Sequence, residues 1–334
     1  MKQIISDRKV QHIKIVLEEK VEPIESSFKK YRLAYKALPE IDKSEISTET
    51  IFLGKNLSFP FLIASMTGGA DKAKDINKNL AIAAEKAKVA LALGSMRAIL
   101  KDPSTFSSFD VRKYCPSIPL LANMGLVQLN YGYGVKEINK LIDSIEADGI
   151  FLHINHLQEA IQPEGDTNFK DLISKLKQIL PQIKKPVFIK EVGSGIDFET
   201  AKNLSDIGIQ WIDVAGLGGT SWTSVESFRR EDKIGFTFEE MGIETTESLI
   251  QLKDIKSLNV ISSGGVRSGL DIAKSIALGA KLASLAKPLL KPALESSDAV
   301  YEEIMRFKQE LEIAMFVTGA KDLESLAKVK IVKI

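Results

Sequence analysis

Residues 149–159 read Gly-Ile-Phe-Leu-His-Ile-Asn-His-Leu-Gln-Glu, an apolar run that ends in a group of polar side chains. His153 and Asn155 are two residues apart and project to the same side of a strand, and Gln158 and Glu159 follow where a loop is expected. A buried imidazole beside a buried amide is costly without hydrogen-bond partners, and a carboxylate suits a hard cation. The stretch is typical of a strand that opens into a binding site. Taken alone, a satisfied core histidine before a solvated loop explains it equally well.

The same succession of apolar run and polar end is found along most of the chain. Short apolar runs alternate with amphipathic stretches, which predicts repeated βα units around a parallel sheet. The predicted strands are 59–65, 89–93, 120–124, 149–153, 186–190, 211–214, 260–263 and 282–285. The predicted helices are 71–88, 135–147, 169–180, 197–207, 246–258, 268–278 and 298–318.

Eight such strands predict a TIM (β/α)8 barrel, an α/β fold of about this length. We expect residues 56–334 to form the barrel and residues 1–55 to be an N-terminal extension that contributes to the substrate site. A doubly wound open sheet is the main alternative. It would carry its phosphate loop after the first strand, whereas the glycine clusters of this chain follow the first, sixth and seventh predicted strands.

The composition limits the kinds of partner that the protein can have. The 334 residues include 45 basic and 44 acidic side chains, and a net charge of +1 gives no reason to expect nucleic acid or an acidic membrane surface as partner. The single cysteine, Cys115, provides neither a disulfide framework nor a zinc cluster and fits a reducing compartment. Because the N-terminus lacks an apolar leader and no stretch reaches about 18 apolar residues, we expect a cytoplasmic location.

In a TIM barrel the functional groups gather at the carboxyl ends of the strands. The ends predicted here carry hydroxyls, amides and cations, although stability alone would favour apolar residues. They read Ser65-Met-Thr-Gly-Gly69, Gly94-Ser-Met-Arg97, Asn123-Met-Gly125, His153-Ile-Asn155, Lys190, Gly216-Leu-Gly-Gly-Thr-Ser221 and Ser262-Ser-Gly-Gly-Val-Arg267. This many polar ends in equivalent positions predict an active site.

Two of these ends indicate an anionic ligand. Gly264 and Gly265 allow close backbone approach, and Ser268 can cap a helix whose N-terminus faces an anion, so the seventh end resembles a phosphate cradle rather than a plain glycine turn. The backbone of residues 285–288 offers further donors where this fold usually binds phosphate. Lys190 closes the fifth strand and needs an anionic partner inside the barrel to keep its proton, for which the ring of a reduced flavin is one candidate.

Taken in order, these motifs resemble those of the type 2 isopentenyl-diphosphate isomerases, a family of FMN-dependent TIM barrels. The resemblance covers nearly the whole chain and depends on the order of many short motifs. They are Arg8-Lys9 with His12, Ser65-Met-Thr-Gly-Gly69, Gly94-Ser-Met-Arg97, Asn123-Met-Gly125, His153-Ile-Asn155 with Gln158-Glu159, Lys190, Gly218-Gly-Thr-Ser-Trp222 with Glu226, and Gly264-Gly-Val-Arg267. The eighth end, Ala286-Lys-Pro288, departs from the Ala-Arg-Pro of the family, which matters little if the backbone makes the contact.

The resemblance implies two sets of binding residues. FMN would be held by Ala64, Met66, Thr67, Ser95, Asn123, Lys190 and Thr220, with its phosphate at Gly264, Gly265, Ala286 and Lys287. The substrate, isopentenyl or dimethylallyl diphosphate, would meet Arg8, Lys9, His12, Ser95, Arg97, His153, Asn155 and Gln158. Guanidinium groups bind phosphate oxygens bidentately, which agrees with this assignment. Without the resemblance, Arg8 and Lys9 would be interpreted as solvated charges at the start of a helix.

The resemblance also implies the catalytic groups and the cofactors. Glu159 would hold Mg²⁺ against the diphosphate, Gln158 would relay or position a proton, and Glu226 is a second candidate relay whose alternative is a surface carboxylate in a long loop. Reduced FMN would take part in proton transfer without net oxidation, with NADPH or NADH as the reductant. Family members form homotetramers or homo-octamers. Arg8 and Lys9 precede the barrel, so they would reach a site as a lid or from a neighbouring subunit.

Two alternatives remain open from the sequence. A flavin oxidoreductase of 2-hydroxy acids or dihydro-substrates shares the barrel, the phosphate cradle and the lysine of the fifth strand, and its activity would not depend on Mg²⁺. A phosphate-ligand sensor on the same fold would bind without turnover and would not need Gln158 and Glu159 at a crowded strand end. The stretch between Thr220 and Thr245 is expected to be a mobile or subunit-contacting insertion.

Overall fold

The chain begins with a set of elements that precede the barrel. The computed structural model describes residues 2–69 and 71–334, with the side chains of residues 8–69 and 73–334. Helix α1 (Lys2–Glu18) is followed by strand β1 (Tyr31–Leu33) and by an antiparallel hairpin of β2 (Thr50–Phe52) and β3 (Lys55–Leu57). The expected division of the chain after residue 55 falls within this hairpin.

Eight parallel strands then close into a barrel. They are β4 (Phe61–Ile63), β5 (Ala90–Ala92), β6 (Leu120–Gly125), β7 (Gly149–His153), β8 (Val187–Lys190), β9 (Trp211–Asp213), β10 (Asn259–Ser262) and β11 (Leu282–Leu285). Each strand pairs with the next along the chain, and β11 returns to pair with β4. The predicted TIM barrel is therefore confirmed, with all eight predicted strands in place, and the open doubly wound sheet is excluded.

Helices surround the barrel, and each of the seven predicted helices is present. They are α2 (Asp71–Ala87), α3 (Arg97–Lys101), α4 (Val135–Ser144), α5 (His156–Ile161), α6 (Leu172–Ile179), α7 (Phe198–Asp206), α8 (Trp222–Arg229), α9 (Thr245–Leu252), α10 (Gly269–Ala277), α11 (Lys287–Glu295), α12 (Ser297–Thr318) and α13 (Leu323–Leu326). A last strand, β12 (Ile331–Lys333), pairs antiparallel with β1 and so connects the two ends of the chain. None of the described helices is long and apolar enough to cross a membrane.

Two expectations about the loops are wrong. Gln158 and Glu159 lie in the short helix α5, which starts directly after β7 and is not a loop. The segment between Thr220 and Thr245 was expected to be a mobile or subunit-contacting insertion, but its residues 223–227 are buried within the chain in α8, so that expectation is wrong for this part. The reason is that α8 packs against α5 and α1, and this long-range packing leaves no periodic signal in the local sequence.

The alternation of side chains along the strands separates two packing layers. Leu62, Leu121 and Phe188 belong to a cluster inside the barrel, whereas their strand neighbours, such as Phe61 and Ile189, pack outward against the helices. Successive residues of a strand project to opposite faces, so the inward positions occur at every second residue. The last inward positions of the strands therefore point toward one another at the carboxyl end of the barrel, where the polar ends lie.

The hairpin of β2 and β3 closes the opposite end of the barrel. Phe52 makes edge-to-face contacts with Phe188 and Trp211, at ring-centroid distances of 5.7 and 5.0 Å. Lys55 of the same hairpin donates hydrogen bonds to the Ile118 carbonyl and to Asp148, both of which immediately precede strands of the barrel. The hairpin thus supplies apolar side chains to the amino end and leaves the carboxyl end open.

We predict that Phe52→Ala destabilises the fold by about 3–5 kcal/mol, because it removes an aromatic side chain from the closed end of the barrel and leaves a cavity. Ile51→Ala is the matched control, since Ile51 lies on the same strand and is 70% exposed; its effect should stay within about 0.5 kcal/mol. Urea-induced unfolding followed by circular dichroism measures both changes. An equal decrease in the free energy of unfolding in the two variants would show that Phe52 does not anchor the hairpin to the barrel.

Candidate active site

A central pocket lies at the carboxyl ends of the barrel strands and under helix α1. It is lined by all but one of the predicted site residues, namely Arg8, Lys9, His12, Ala64, Met66, Thr67, Ser95, Arg97, Asn123, His153, Asn155, Gln158, Glu159, Lys190, Thr220, Gly264, Gly265, Ala286 and Lys287. The exception is Glu226, which is fully buried directly behind the pocket wall. The strand ends therefore converge as the fold requires, and the N-terminal helix brings residues of the same chain onto them.

The glycines after the sixth and seventh strands of the barrel form one closely packed wall of the pocket. Gly264 and Gly265 have positive φ angles of +90° and +76°, and a Cβ on Gly264 would lie 2.1 Å from the carbonyl oxygen of Gly216. Ser268 caps α10 by accepting a hydrogen bond from the Asp271 amide at 3.1 Å, as predicted. Only glycine fits this turn, and no side chain covers the backbone there. The backbone amides of the turn are therefore accessible to a ligand near the N-terminus of α10.

Lys190 has a partner that the sequence interpretation missed. Its Nζ lies 3.0 Å from Oδ2 of Asp213, which is fully buried at the end of β9, and 3.3 Å from the Ser263 hydroxyl. The side-chain hydroxyl of Ser263 also donates to Asp213. The charge of Lys190 is thus balanced within the protein, and a flavin ring is not needed to balance it. A signal for Asp213 was present in the sequence, because this residue is the one acidic side chain within the sixth predicted strand, 211–214.

His153 is held in its neutral form. Its Nδ1 lies 2.7 Å from Oδ1 of Asn123, and the amide nitrogen of Asn123 donates to the Ser65 hydroxyl at 2.8 Å. Burial, together with the charges of Arg97, Lys190 and Lys9, lowers the pKa of His153 to about 3. Because Asn123 Oδ1 can only accept, Nδ1 carries the proton and Nε2 has a free lone pair. This contact of His153 with Asn123 at the pocket wall defines the tautomer.

Three cations meet at one side of the pocket. Lys9 donates a hydrogen bond from Nζ to the Ser95 carbonyl at 3.1 Å, and burial and the neighbouring charges of Arg8 and Arg97 lower the pKa of Lys9 to about 7. Arg8 and Lys9 are therefore not solvated charges, and helix α1 carries them to the pocket of their own chain. Three cations this close together create a site that favours a multivalent anion.

Gln158, Glu226 and His12 form a hydrogen-bonded network at the next part of the wall. The amide nitrogen of Gln158 donates to Oε1 of Glu226 at 2.9 Å, Nε2 of His12 lies 3.1 Å from the same oxygen, and Arg229 pairs with the other oxygen. Burial opposes ionisation, but these contacts outweigh it and lower the pKa of Glu226 to about 2. Burial lowers the pKa of His12 despite the carboxylate. Glu226 is thus an ionised, buried carboxylate, which excludes the alternative of a surface residue.

Glu159 is a buried carboxylate without a cationic partner in direct contact. It accepts hydrogen bonds from the Asn155 amide at 2.8 Å and from the Asp166 backbone amide at 2.7 Å, and burial raises its pKa. The described side chains contain no group of three or more His, Cys, Asp or Glu residues that could hold a metal ion. Glu159 alone could contribute a ligand to a hard cation, which would compensate its buried charge, and the other ligands would have to come from a bound anion and water.

Two further acidic residues beside the pocket were not predicted from the sequence. Asp166 pairs with Arg97, and Glu164 lies 3.5 Å from Arg8 and 2.9 Å from Arg229. Both follow α5 in the sequence 162–166, Gln-Pro-Glu-Gly-Asp. Proline and glycine within five residues indicate a turn, but the sequence contains no sign that this turn folds back over the active site.

Comparison with known proteins gives a family and a fold. The model of the FMN-dependent dehydrogenase family matches residues 17–101 and 146–333. Among solved structures, a lactate oxidase of Pediococcus acidilactici superposes with a TM-score of 0.65 at 19% identity, over 98% of this chain and 86% of that one. A mandelate oxidase variant with an FMN adduct gives 0.63 at 15% identity, over 98% and 92%. At these identities the two oxidases establish the barrel fold.

Much higher similarity is found to two curated bacterial proteins. The isopentenyl-diphosphate delta-isomerase of Rickettsia bellii (strain RML369-C) is 46% identical over 330 residues, which cover 97% of this chain and 96% of that protein. The isopentenyl-diphosphate delta-isomerase of Oceanobacillus iheyensis is 45% identical over 333 residues, which cover 98% and 95%. The alignments include the N-terminal extension as well as the barrel.

The closed barrel, the glycine wall and the family match together define an enzyme of the FMN-dependent dehydrogenase class. The nearly full-length relatives specify the group within that class. The chain belongs to the isopentenyl-diphosphate delta-isomerase family, in its FMN-dependent, type 2 form. The resemblance inferred from the motifs is confirmed.

Proposed function

We propose that this enzyme interconverts isopentenyl diphosphate and dimethylallyl diphosphate in isoprenoid biosynthesis, with reduced FMN and Mg²⁺ and without net oxidation or reduction. The observation that carries the proposal is the meeting of two features in one pocket. The cations Arg8, Lys9 and Arg97 lie on one side, and the amide of Gln158, fixed by the buried carboxylate of Glu226, lies beside them. The cations suit a diphosphate. The fixed amide of Gln158 suits controlled movement of a proton at the hydrocarbon chain that the diphosphate carries.

FMN is proposed to lie against the glycine wall, with its phosphate at the backbone of Gly264, Gly265, Ala286 and Lys287. The positive φ angles of the two glycines and the cap at Ser268 support this location. The remaining contacts with the cofactor are proposed for Ala64, Met66, Thr67, Ser95, Asn123, Lys190 and Thr220, all of which line the same pocket. When bound and reduced, FMN supplies the acid–base chemistry toward an unactivated alkene that ordinary side chains lack.

The diphosphate is proposed to bind Arg8, Lys9, Arg97 and Asn155, with His12 and Ser95 completing the site. The guanidinium groups supply forked donors, and the low dielectric of a covered pocket strengthens the attraction. His153 enters the complex as a neutral imidazole, so its Nε2 accepts a proton when the anion arrives or accepts a hydrogen bond from water. The segment of residues 1–55 is proposed to act in its own subunit, since Lys9 already contacts Ser95 within the chain.

Mg²⁺ is proposed to bind Glu159 together with oxygens of the diphosphate. Glu159 fits this role because it is buried, its pKa is raised by burial, and it lines the pocket beside the cation cluster. Magnesium prefers one or two carboxylates with water and phosphate oxygens as the remaining ligands. The site therefore assembles fully only when the substrate is present.

Gln158 is proposed to touch the isoprenoid chain, and Glu226 is proposed to act through it. The Gln158 amide donates to Glu226 and its carbonyl oxygen accepts from the Asn155 amide at 3.2 Å, so both ends of the side chain are fixed. A fixed orientation presents one chosen atom to the substrate. Glu226 does not line the pocket, which makes it a positioning residue whose charge also stabilises a proton that reaches His12 or Gln158.

Three further features stay predictions. NADPH is proposed as the reductant of FMN and is expected to enter the same pocket, because no dinucleotide fingerprint follows a strand of this chain. A homotetramer or homo-octamer is proposed from the family resemblance, and a cytoplasmic location from the single cysteine.

The function is tested by an anaerobic assay of the purified protein with FMN, NADPH, Mg²⁺ and isopentenyl diphosphate. We expect dimethylallyl diphosphate to accumulate far beyond the NADPH consumed, because the flavin returns to its starting state after each turnover. Product and NADPH are quantified separately in the same samples. Consumption of one NADPH per product, or no product, would reject the isomerase proposal in favour of a flavin oxidoreductase.

The metal requirement is tested in the same assay. We expect activity to be lost on addition of EDTA and to be recovered on addition of Mg²⁺.

We predict that Glu226→Gln lowers kcat by about 100-fold, because the neutral amide no longer orients Gln158 or stabilises a proton in its network. KM for the substrate should change by less than about threefold, since Glu226 does not line the pocket and the cations Arg8, Lys9 and Arg97 are unchanged. Steady-state kinetics measures both constants, and the bound flavin spectrum reports cofactor occupancy. Glu240→Gln is the control, because it makes the same change at an exposed position. A parallel rise in KM would mean that Glu226 serves substrate binding instead.

We predict that diphosphate affinity falls as the pH rises above 7. The pKa of Lys9 is lowered to about 7 by burial, Arg8 and Arg97, so Lys9 is charged below this pH and becomes neutral above it, and only the charged form attracts the anion. Lys9→Arg stays charged throughout. The ratio of the wild-type to the variant Kd for inorganic pyrophosphate, measured by calorimetry, should rise about tenfold between pH 6.5 and 8.5. A ratio that does not change with pH contradicts the assignment of Lys9.

A further inference from the structure

The loop after α5, Pro163-Glu-Gly-Asp166, pairs with both arginines that are proposed to bind the diphosphate. This segment is called the acidic loop here. Asp166 forms an ion pair with Arg97, and Glu164 lies 3.5 Å from Arg8. Neither carboxylate has a role in the proposed reaction. The loop thus places Asp166 against Arg97 and places Glu164 between Arg8 and Arg229, at 3.5 and 2.9 Å.

The acidic loop is firmly built into the site. The backbone amide of Asp166 donates to Oε2 of Glu159 at 2.7 Å, and the Asp166 carboxylate also accepts from the amide of Gln128 at 2.9 Å. A Cβ on Gly165 would lie 1.8 Å from the carbonyl oxygen of Glu159, so only glycine allows the loop to approach α5 this closely. The backbone of the loop and the carboxylate of Asp166 are therefore held in place by packing and hydrogen bonds.

Carboxylates next to an anion site affect the metal-free anion and its Mg²⁺ complex differently. A free diphosphate carries several negative charges and is repelled by Glu164, Asp166 and Glu159 together. Coordination of Mg²⁺ cancels two of these charges, so the repulsion on the complex is much smaller. The same carboxylates attract the metal. Removal of one of them should therefore help the free anion far more than the magnesium complex.

We propose that the acidic loop makes the site select the Mg²⁺ complex of a diphosphate over the free diphosphate, with Asp166 and Glu164 as the residues that determine this specificity. The inference rests on the proposed function, because it takes the cation cluster to be a diphosphate site. The acidic loop would also have a second effect. Asp166 holds Arg97, and Glu164 holds Arg8, at the pocket wall before the substrate arrives.

Calorimetric titration of the FMN-loaded protein with inorganic pyrophosphate, in EDTA and in excess Mg²⁺, tests the inference. Asp166→Asn keeps an oxygen that accepts from Arg97 and removes only the charge. We expect its Kd in EDTA to fall about tenfold, with a change of less than about threefold in Mg²⁺. Glu164→Gln, at a more exposed position of the same loop, should act in the same direction and is available if Asp166→Asn fails to fold.

Glu231→Gln is the matched control, because it makes the same change of net charge at an exposed position on another loop and should leave both Kd values unchanged. An unchanged or higher Kd in EDTA for both loop variants overturns the inference. If the wild type isomerises its substrate but binds free and Mg²⁺-bound pyrophosphate equally well, the inference fails and the proposed function stands. If the wild type neither isomerises nor binds either form, both fail.

Discussion

The geometry of the site depends on one constraint, which is the alternation of side chains along strands that close into a barrel. Because every second residue points inward, the apolar cluster around Phe188 fills the lower part and the next inward positions, Lys190, Asp213 and His153, fill the mouth. Closure brings these residues together although they are far apart in sequence. With the amino end occupied by the hairpin that carries Phe52, the mouth is the open end of the barrel.

Within this mouth, the charges that the structure describes are largely compensated inside the chain. Asp213 balances Lys190, and Asp166 balances Arg97. Beside the wall formed by the glycines, Glu22 of the N-terminal segment pairs with Arg267 and lies 3.5 Å from Lys287. An unpaired buried charge is costly, so these pairs compensate the cations and hold them in fixed orientations. An incoming anion then competes with carboxylates already in place, which makes its net charge a determinant of affinity.

The N-terminal helix completes the site from outside the barrel. His12 contacts Glu226 and packs edge to face against Trp222, with a ring-centroid distance of 5.1 Å, while Lys9 reaches Ser95. The same helix thus touches both the cation cluster and the network around Gln158. Any displacement of α1 would disturb the two together, so the cation cluster and the orientation of Gln158 are coupled through one element.

The sequence by itself determined the barrel, because strand periodicity and strand-end polarity are local patterns that eight repeats made unambiguous. It also identified site residues that, with the exception of Glu226, all line the pocket, through motifs such as Gly264-Gly-Val-Arg267. Only the tertiary structure decided that Asp213 pairs with Lys190, that Glu226 is buried behind Gln158, and that the acidic loop faces the arginines. These contacts join residues from about 20 to 156 positions apart. The local sequence does not indicate which distant charges meet, because closure of the barrel and packing of the chain alone bring them together.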